Sequence, residues 1–411
     1  MQQIPNLTSL RFILALLVVI FHTPEFFANR NLPYFKDYSL FLRGNESVWI
    51  FFSLSGFLII RQLFNEKINS NSINLKRFFL NRIYRIFPLY YLVLIFGFIH
   101  YQIILPKLGF QFENSYNILE GILLSVTFFS NIFLTYSPGG IIEILWSIGI
   151  EEQFYLIWPV LAGLCLRWKV SILKIAIAIA AVTFSINIAI IFSDANPASA
   201  FYLPQARFWE LMVGTILAYL TLNKHLDHLS TKGRDWLSIF GFSLIIACAV
   251  LINKASAFPG FWALMPVLGS AALIAAGPNA IFNRLILKQK QIVWIGLISY
   301  PLYLWHWPLL SVDYILNGEA GSVAMRMLII SISVLLAAAT YYVIERPIRF
   351  GRFGGIKAII LSILMVLVCY QGFNTYYRDG LVFRLKHLQL RLPPELLALS
   401  ENPEKPAATM A

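Results

Sequence analysis

The chain has 411 residues, 58% of them hydrophobic and only 13% charged, with a formal net charge of +12. A soluble chain cannot cover that much apolar surface with so few polar groups, and disorder is excluded by the same composition. The basic excess lies in loops between apolar segments, which argues against nucleic-acid binding and leaves a polytopic integral membrane protein.

A helix needs about 20 mainly apolar residues to cross a hydrocarbon core. In chain order the candidate segments are 8–28, 46–64, 83–105, 118–134, 146–166, 170–192, 207–222, 236–253, 261–277, 292–311, 323–344 and 355–374. The first apolar run lacks the small-residue cleavage site of a secretory signal and is expected to remain as a span. Lys67, Lys76, Arg77, Arg82 and Arg85, opposed only by Glu66, mark 65–85 as cytoplasmic. The loops of Lys224/Lys232/Arg234, Arg284/Lys288/Lys290 and Arg346/Arg349/Arg352 follow the same rule, and the loop with Asp313 and Glu319 falls outside. Counting crossings forward from 65–85 and backward from the later loops gives a conflict of one. The simplest repair is that 118–134, with Asn131 near its end, does not span. The expected fold is therefore an all-α polytopic integral membrane protein. It has about 10–11 transmembrane helices and one partial or re-entrant segment, with the N-terminus cytoplasmic and the C-terminus extracytoplasmic. The expected division is a membrane-embedded domain over 1–350, an additional helix over 351–375 and a short extracytoplasmic linker or tail over 376–411. Cys165, Cys248 and Cys369 are isolated and form no redox or metal motif.

Ionisable residues within apolar spans are costly and are functional candidates by default. Arg11 and His22 are eleven apart, three helical turns, so they share a face about 16 Å apart along the axis. A cation at the mouth and an imidazole at depth suit an anionic substrate with a reactive end. A snorkelling arginine and a carbonyl-bonded histidine explain the same pair. Arg82 and Arg85 share a face and can grip phosphate bidentately, although positive-inside anchoring accounts for their charge equally well. Ser147, Glu151 and Tyr155 follow each other at intervals of four on one face, beside Glu152. The carboxylate there can pair with an arginine or orient an imidazole. Arg207 and Glu210 form a same-face pair with a structural reading. Ser299, Tyr303 and His306 share a later face, where Trp305-His306-Trp307 reads as an aromatic belt. No GxSxG, Walker-type loop, HExxH or metal-ligand cluster is present.

These residues resemble the motifs of acyltransferase family 3. Arg11 and His22 match its first-helix motif, Trp49 to Leu58 its second-helix stretch, and Arg82-Ile83-Tyr84-Arg85 its Arg-x-x-Arg segment. Leu145 to Tyr155, Arg207 to Gly214 and Ile298 to His306 match three further signatures, all six in family order over about residues 7–350. The resemblance implies transfer of an acyl group, usually acetyl, from cytoplasmic acyl-coenzyme A to a sugar hydroxyl of an envelope polysaccharide or glycolipid. The acceptor would be an envelope glycan such as a lipopolysaccharide O-antigen, or a lipid-linked oligosaccharide. The setting would be the bacterial cytoplasmic (inner) membrane. Acetyl-coenzyme A would be a substrate, with no cofactor bound permanently. His22 would be catalytic, as base or as acyl carrier, with Arg11 and Glu151 functional and Arg82 and Arg85 holding coenzyme A. Ser147, Tyr155, Arg207, Glu210, Tyr303 and His306 remain as acceptor-binding or structural polar groups. The stretch Glu345 to Arg349, the helix 355–374 and Arg378-Asp379-Gly380-Leu381 resemble members whose extra helix leads to an extracytoplasmic SGNH-type domain, expected here as separate or removed. Intramembrane charges and basic loops also fit a flippase for a lipid-linked sugar without acyl transfer.

Overall fold

The computed structural model describes residues 7–11, 45–70, 73–100, 104, 124–125, 127–136, 143–193, 195–251, 259–317, 322–351 and 354–377. Among these residues the secondary structure is entirely helical. The longer helices are α1 (Asn45–Ser70), α2 (Leu75–Ile99), α3 (Trp146–Arg167), α4 (Ile172–Ile191), α5 (Phe208–Leu222), α6 (Thr231–Leu251), α7 (Leu264–Ala276), α8 (Ser299–Asn317), α9 (Val323–Thr340) and α10 (Gly354–Tyr377). Among the described residues, four helical stretches are long and apolar enough to span a bilayer: Val48–Lys67, Leu75–Ile99, Ile172–Ile191 and Val323–Phe350. Phe208–Leu222, Gly260–Ala276 and Ile359–Gln371 are shorter apolar helices. The chain is an all-α, multi-pass membrane protein.

The helices differ in what they face. In the apolar window of α1, 67% of residues are buried inside the protein, against 17% in α4. Hence α1 is central, while α4 turns most of its apolar surface outward, where lipid is the compatible solvent. The outward face of α10, with Ile359, Ile363, Val366 and Leu367 exposed, has the same character. Lipid gives helices no hydrophobic reason to associate, so close packing has to hold them together. The crossing of α1 with α5 shows how. Gly56 lies against the backbone of Leu211, and Gly214 lies against the backbone of Ser53. A Cβ on either glycine would collide with main chain that cannot move aside. Gly214→Val should therefore force the two helices apart and destabilise the protein by about 1–3 kcal/mol or more. A thermal midpoint equal to wild type in detergent would contradict this packing.

Sequence and structure differ at two places. The span over 83–105 belongs to a helix that starts at Leu75, because Asn74 caps it by accepting from the Arg77 N–H at 2.9 Å. A hydropathy window misses this first turn, which carries Lys76 and Arg77. The span over 292–311 is not one helix: Lys290–Leu297 ends at Ile298, and α8 begins at Ser299. Pro301 falls in the first turn of α8, where its missing N–H costs nothing, and Ser299 Oγ donates to the Gly296 carbonyl at 2.9 Å. Over 118–134, the described part is broken, as expected for a partial segment. Phe128 adopts φ +63° ahead of a five-residue helix, Ser130–Leu134. Of the first span only 7–11 is described; His22 and the tail from 378 onward lie outside the described residues.

Candidate active site

The polar residues that the sequence scatters over more than 290 positions meet at one cavity. Arg11 enters from 7–11, Ser55 from α1, Arg82 and Arg85 from α2, Ser147, Glu151 and Tyr155 from α3, and Ser299, Tyr300 and Tyr303 from α8. Val48, Phe51, Ile86 and Ile148 complete its apolar wall. Gly296 makes the position of Arg11 possible: its missing side chain lets Lys290–Leu297 lie against the backbone of Thr8.

Local periodicity explains the α3 wall. Ser147, Glu151 and Tyr155 stand one turn apart and point the same way. Glu151 is 5% exposed and its side chain hydrogen-bonds that of Ser55. The opposite charges acting on it are Arg85, Arg11 and Arg82, in that order. Arg82, also buried, donates from Nη2 to Gln62 Oε1 at 3.3 Å. Its guanidinium lies 4.7 Å from the Tyr155 ring centroid and 5.3 Å from that of Phe78. Such stacking fixes a guanidinium plane while leaving donors free. Arg11 Nε, Arg82 Nε and Glu151 Oε1 have no hydrogen-bond partner among the described residues. Buried polar atoms in that state mark a place where an incoming polar group can be held.

The far wall is a hydroxyl chain. Tyr303 donates to the Ile144 carbonyl at 2.9 Å, so Ser147 is the donor in the 2.6 Å bond between Ser147 Oγ and Tyr303 Oη. Tyr300 donates to the Ile86 carbonyl at 2.9 Å and ties α8 to α2. These bonds hold α3, α8 and α2 at the spacing the cavity requires.

Arg207, Glu210 and His306 do not line this cavity. Arg207 and Glu210 form the structural pair the sequence suggested: Nη1 to Oε1 is 3.3 Å, and both side chains are fully buried. Arg207 sits 3.9 Å from the Trp49 ring centroid, with Phe52, Trp146 and Phe201 also around it. This aromatic box holds Trp146, the neighbour of Ser147. The aromatic-belt reading of Trp305-His306-Trp307 is corrected. His306 is fully buried, its Nδ1 donates to the Leu302 carbonyl at 3.0 Å, and its ring lies 5.9 Å from that of Tyr303. A side chain one turn from Tyr303 on the same face follows Tyr303 inward rather than toward the headgroups.

Sequence reasoning missed Ser55, Gln62 and Tyr300 as site residues. Ser55 and Gln62 carried a readable signal, as small polar groups on an otherwise apolar helix. Tyr300 carried none apart from its place in the Ile298-to-His306 signature.

The fold and cavity define a class: a helical membrane protein with a buried, arginine-rich, carboxylate-containing pocket among its central helices. A family model described as "Acyltransferase domain" matches residues 4–346, and the chain belongs to that family, acyltransferase family 3. It is similar to "Peptidoglycan O-acetyltransferase OatA" of Listeria monocytogenes, 26% identical over 368 residues, covering 85% of this chain and 56% of that protein. It is similar also to "O-acetyltransferase OatA" of Staphylococcus aureus, 26% identical over 360 residues, covering 84% of this chain and 57% of that one. The chain thus spans a little over half the length of these curated relatives. No solved structure matches.

Proposed function

We propose that this protein transfers an acyl group, acetyl by preference, from a cytoplasmic coenzyme A thioester to a hydroxyl of a cell-envelope polysaccharide. The observation that carries this reading is the meeting of Arg11, Arg82, Arg85 and Glu151 in one buried cavity. Family membership supports acyl transfer, and the relatives' names support an O-acetyl product on an envelope glycan. Arg82 and Arg85 belong to the basic stretch assigned to the cytoplasm, where coenzyme A is found, and their guanidinium groups suit its phosphates. The thioester end then points into the cavity, toward the carboxylate and hydroxyl walls.

His22, which helical spacing in the sequence is expected to place on the same face as Arg11, is proposed as the base. The acceptor hydroxyl attacks the thioester carbonyl and its proton passes to the imidazole. The carbon–sulfur bond breaks, and the proton goes to the departing thiolate to give free coenzyme A. Glu151 balances the arginine charge and fixes where an anionic donor stops. The proposed setting is the bacterial cytoplasmic membrane, with the N-terminus inside. An SGNH-type domain, as a separate partner or in a longer chain, is proposed to help select the acceptor.

Deleting the gene should remove alkali-labile acetyl esters from the envelope polysaccharide, and restoring it should return them. Compositional analysis with and without the gene checks this; unchanged O-acetyl content would contradict the reading.

A further inference from the structure

One charged pair outside the assigned set belongs to segments that pack on the helix of Arg82 and Arg85. After α9 the chain makes a π-helical turn, Tyr341–Glu345, and continues as the short helix Arg346–Phe350. Both segments pack on α2, the helix that carries Arg82 and Arg85. π-Turns inside helices are frequent at functional sites, because the inserted residue re-aims the side chains that follow. Here the turn ends on Glu345, which is 4% exposed. Arg349 Nη1 donates to Glu345 Oε1 at 3.3 Å. Glu345 Oε2 is buried and has no hydrogen-bond partner among the described residues. Arg349 keeps 28% of its side chain exposed, so its remaining donors can be reached. Pro347 at the start of the short helix and the Lys357 Nζ bond to the Pro347 carbonyl at 2.8 Å fix the backbone of this corner.

The charge environment links the pair to the cavity. Arg85 is the charged group acting most strongly on both Glu345 and Arg349, and Arg11 and Arg82 also act on the pair. Four guanidinium groups (Arg11, Arg82, Arg85 and Arg349) thus share one charge environment with Glu151 and Glu345. Glu152, near Arg82, adds a third carboxylate. The local balance stays positive. A buried excess of cations is costly unless it is paired, and an anionic ligand is what would pair it. A diphosphate presents four non-bridging oxygens, and Arg82 already donates from Nη2 to Gln62, which leaves room at them for a third guanidinium.

We propose that Arg349, oriented by Glu345, joins Arg82 and Arg85 to form a three-arginine site for the diphosphate of the donor. Arg85 and Arg349 are both partly exposed, whereas Arg82 is buried. This rests on the coenzyme A thioester reading above and adds a ligand contact from the distant Glu345-Arg346-Pro347-Ile348-Arg349 stretch. Glu345 is a positioning residue acting through Arg349.

The test uses the full chain in lipid nanodiscs, with coenzyme A binding followed by calorimetry and acetyl transfer followed from two donors. One donor is acetyl-coenzyme A; the other is acetyl-pantetheine, which lacks the diphosphate. Arg349→Ala should weaken coenzyme A binding about tenfold or more and raise the KM for acetyl-coenzyme A to match. Use of acetyl-pantetheine should stay within twofold of wild type. Arg349→Lys should recover part of the loss, and Glu345→Gln should weaken binding only where Arg349 is present. Arg349→Gln, which keeps a donor for Glu345, serves if the alanine variant does not fold. Unchanged coenzyme A binding in Arg349→Ala or Arg349→Gln overturns the assignment, as does an equal loss with both donors. Wild-type protein that binds no coenzyme A overturns the donor reading itself, a result distinct from either of those.

Discussion

Glu151→Gln should reduce acetyl transfer by about a hundredfold or more, with the protein still folded and inserted. Glutamine keeps the shape of the side chain and can keep the bond to Ser55. It removes the negative charge that Arg85, Arg11 and Arg82 share. Three guanidinium groups in a low-dielectric cavity would then repel one another with only Glu152 and Glu345 to offset them, and the donor's phosphates would be drawn out of register. A misplacement of about 1 Å is enough to cost a hundredfold in rate. The loss should appear in kcat more than in acceptor KM, because Glu151 is assigned to alignment rather than to glycan contact. Activity within threefold of wild type, in protein of normal melting temperature, would remove Glu151 from the site.

Arg82→Ala combined with Arg85→Ala should raise the KM for acetyl-coenzyme A by at least about a hundredfold. Hydrogen bonds to charged groups contribute about 1.5–3 kcal/mol each, and every 1.4 kcal/mol is about a factor of ten. The two substitutions are not equivalent. Arg82 is also packed between Phe78 and Tyr155 and bonded to Gln62, so its removal loses packing as well as charge. Arg85→Ala alone is the cleaner probe of phosphate contact. Steady-state kinetics with donor and acceptor varied in turn separate the effects. If only acceptor use suffers, the assignment of this pair to phosphate is wrong.

Much of this site could be read in the chain because helical periodicity does the work. Ser147, Glu151 and Tyr155 are four apart and Arg82 and Arg85 three apart, so each set had to share a face whatever the rest of the fold did. Helix boundaries were legible where apolar runs end at polar loops, as in Trp146–Arg167 and Ile172–Ile191. Boundaries set by local chemistry were less so. The Asn74 cap extends α2 through charged residues, and the break at Ile298 depends on Pro301 and Ser299 inside an otherwise continuous apolar run.

What the sequence could not show is which faces meet. Ser55, Gln62 and Tyr300 come from α1 and α8 and acquire their roles only through packing against α2 and α3. The same holds for Glu345 and Arg349, more than 250 positions from Arg82 and Arg85, on whose helix their segments pack. The inward turn of His306 follows the same logic: two flanking tryptophans suggest a membrane interface, yet Tyr303 and the Leu302 carbonyl hold the ring inside. Such contacts depend on close approaches like that of Gly214 to Ser53, which no single segment reveals.

The central claim is that an acetyl group moves from coenzyme A to an envelope glycan through this cavity. The most direct measurement supplies acetyl-coenzyme A carrying a radiolabelled acetyl group to membranes that contain the protein and an envelope glycan. Label is then counted in the glycan before and after mild alkali. Wild-type membranes should place alkali-labile label on the glycan, and membranes with His22→Ala at equal protein level should not. Wild-type membranes that move lipid-linked sugar across the bilayer but leave the glycan unlabelled would contradict the claim and identify a carrier instead.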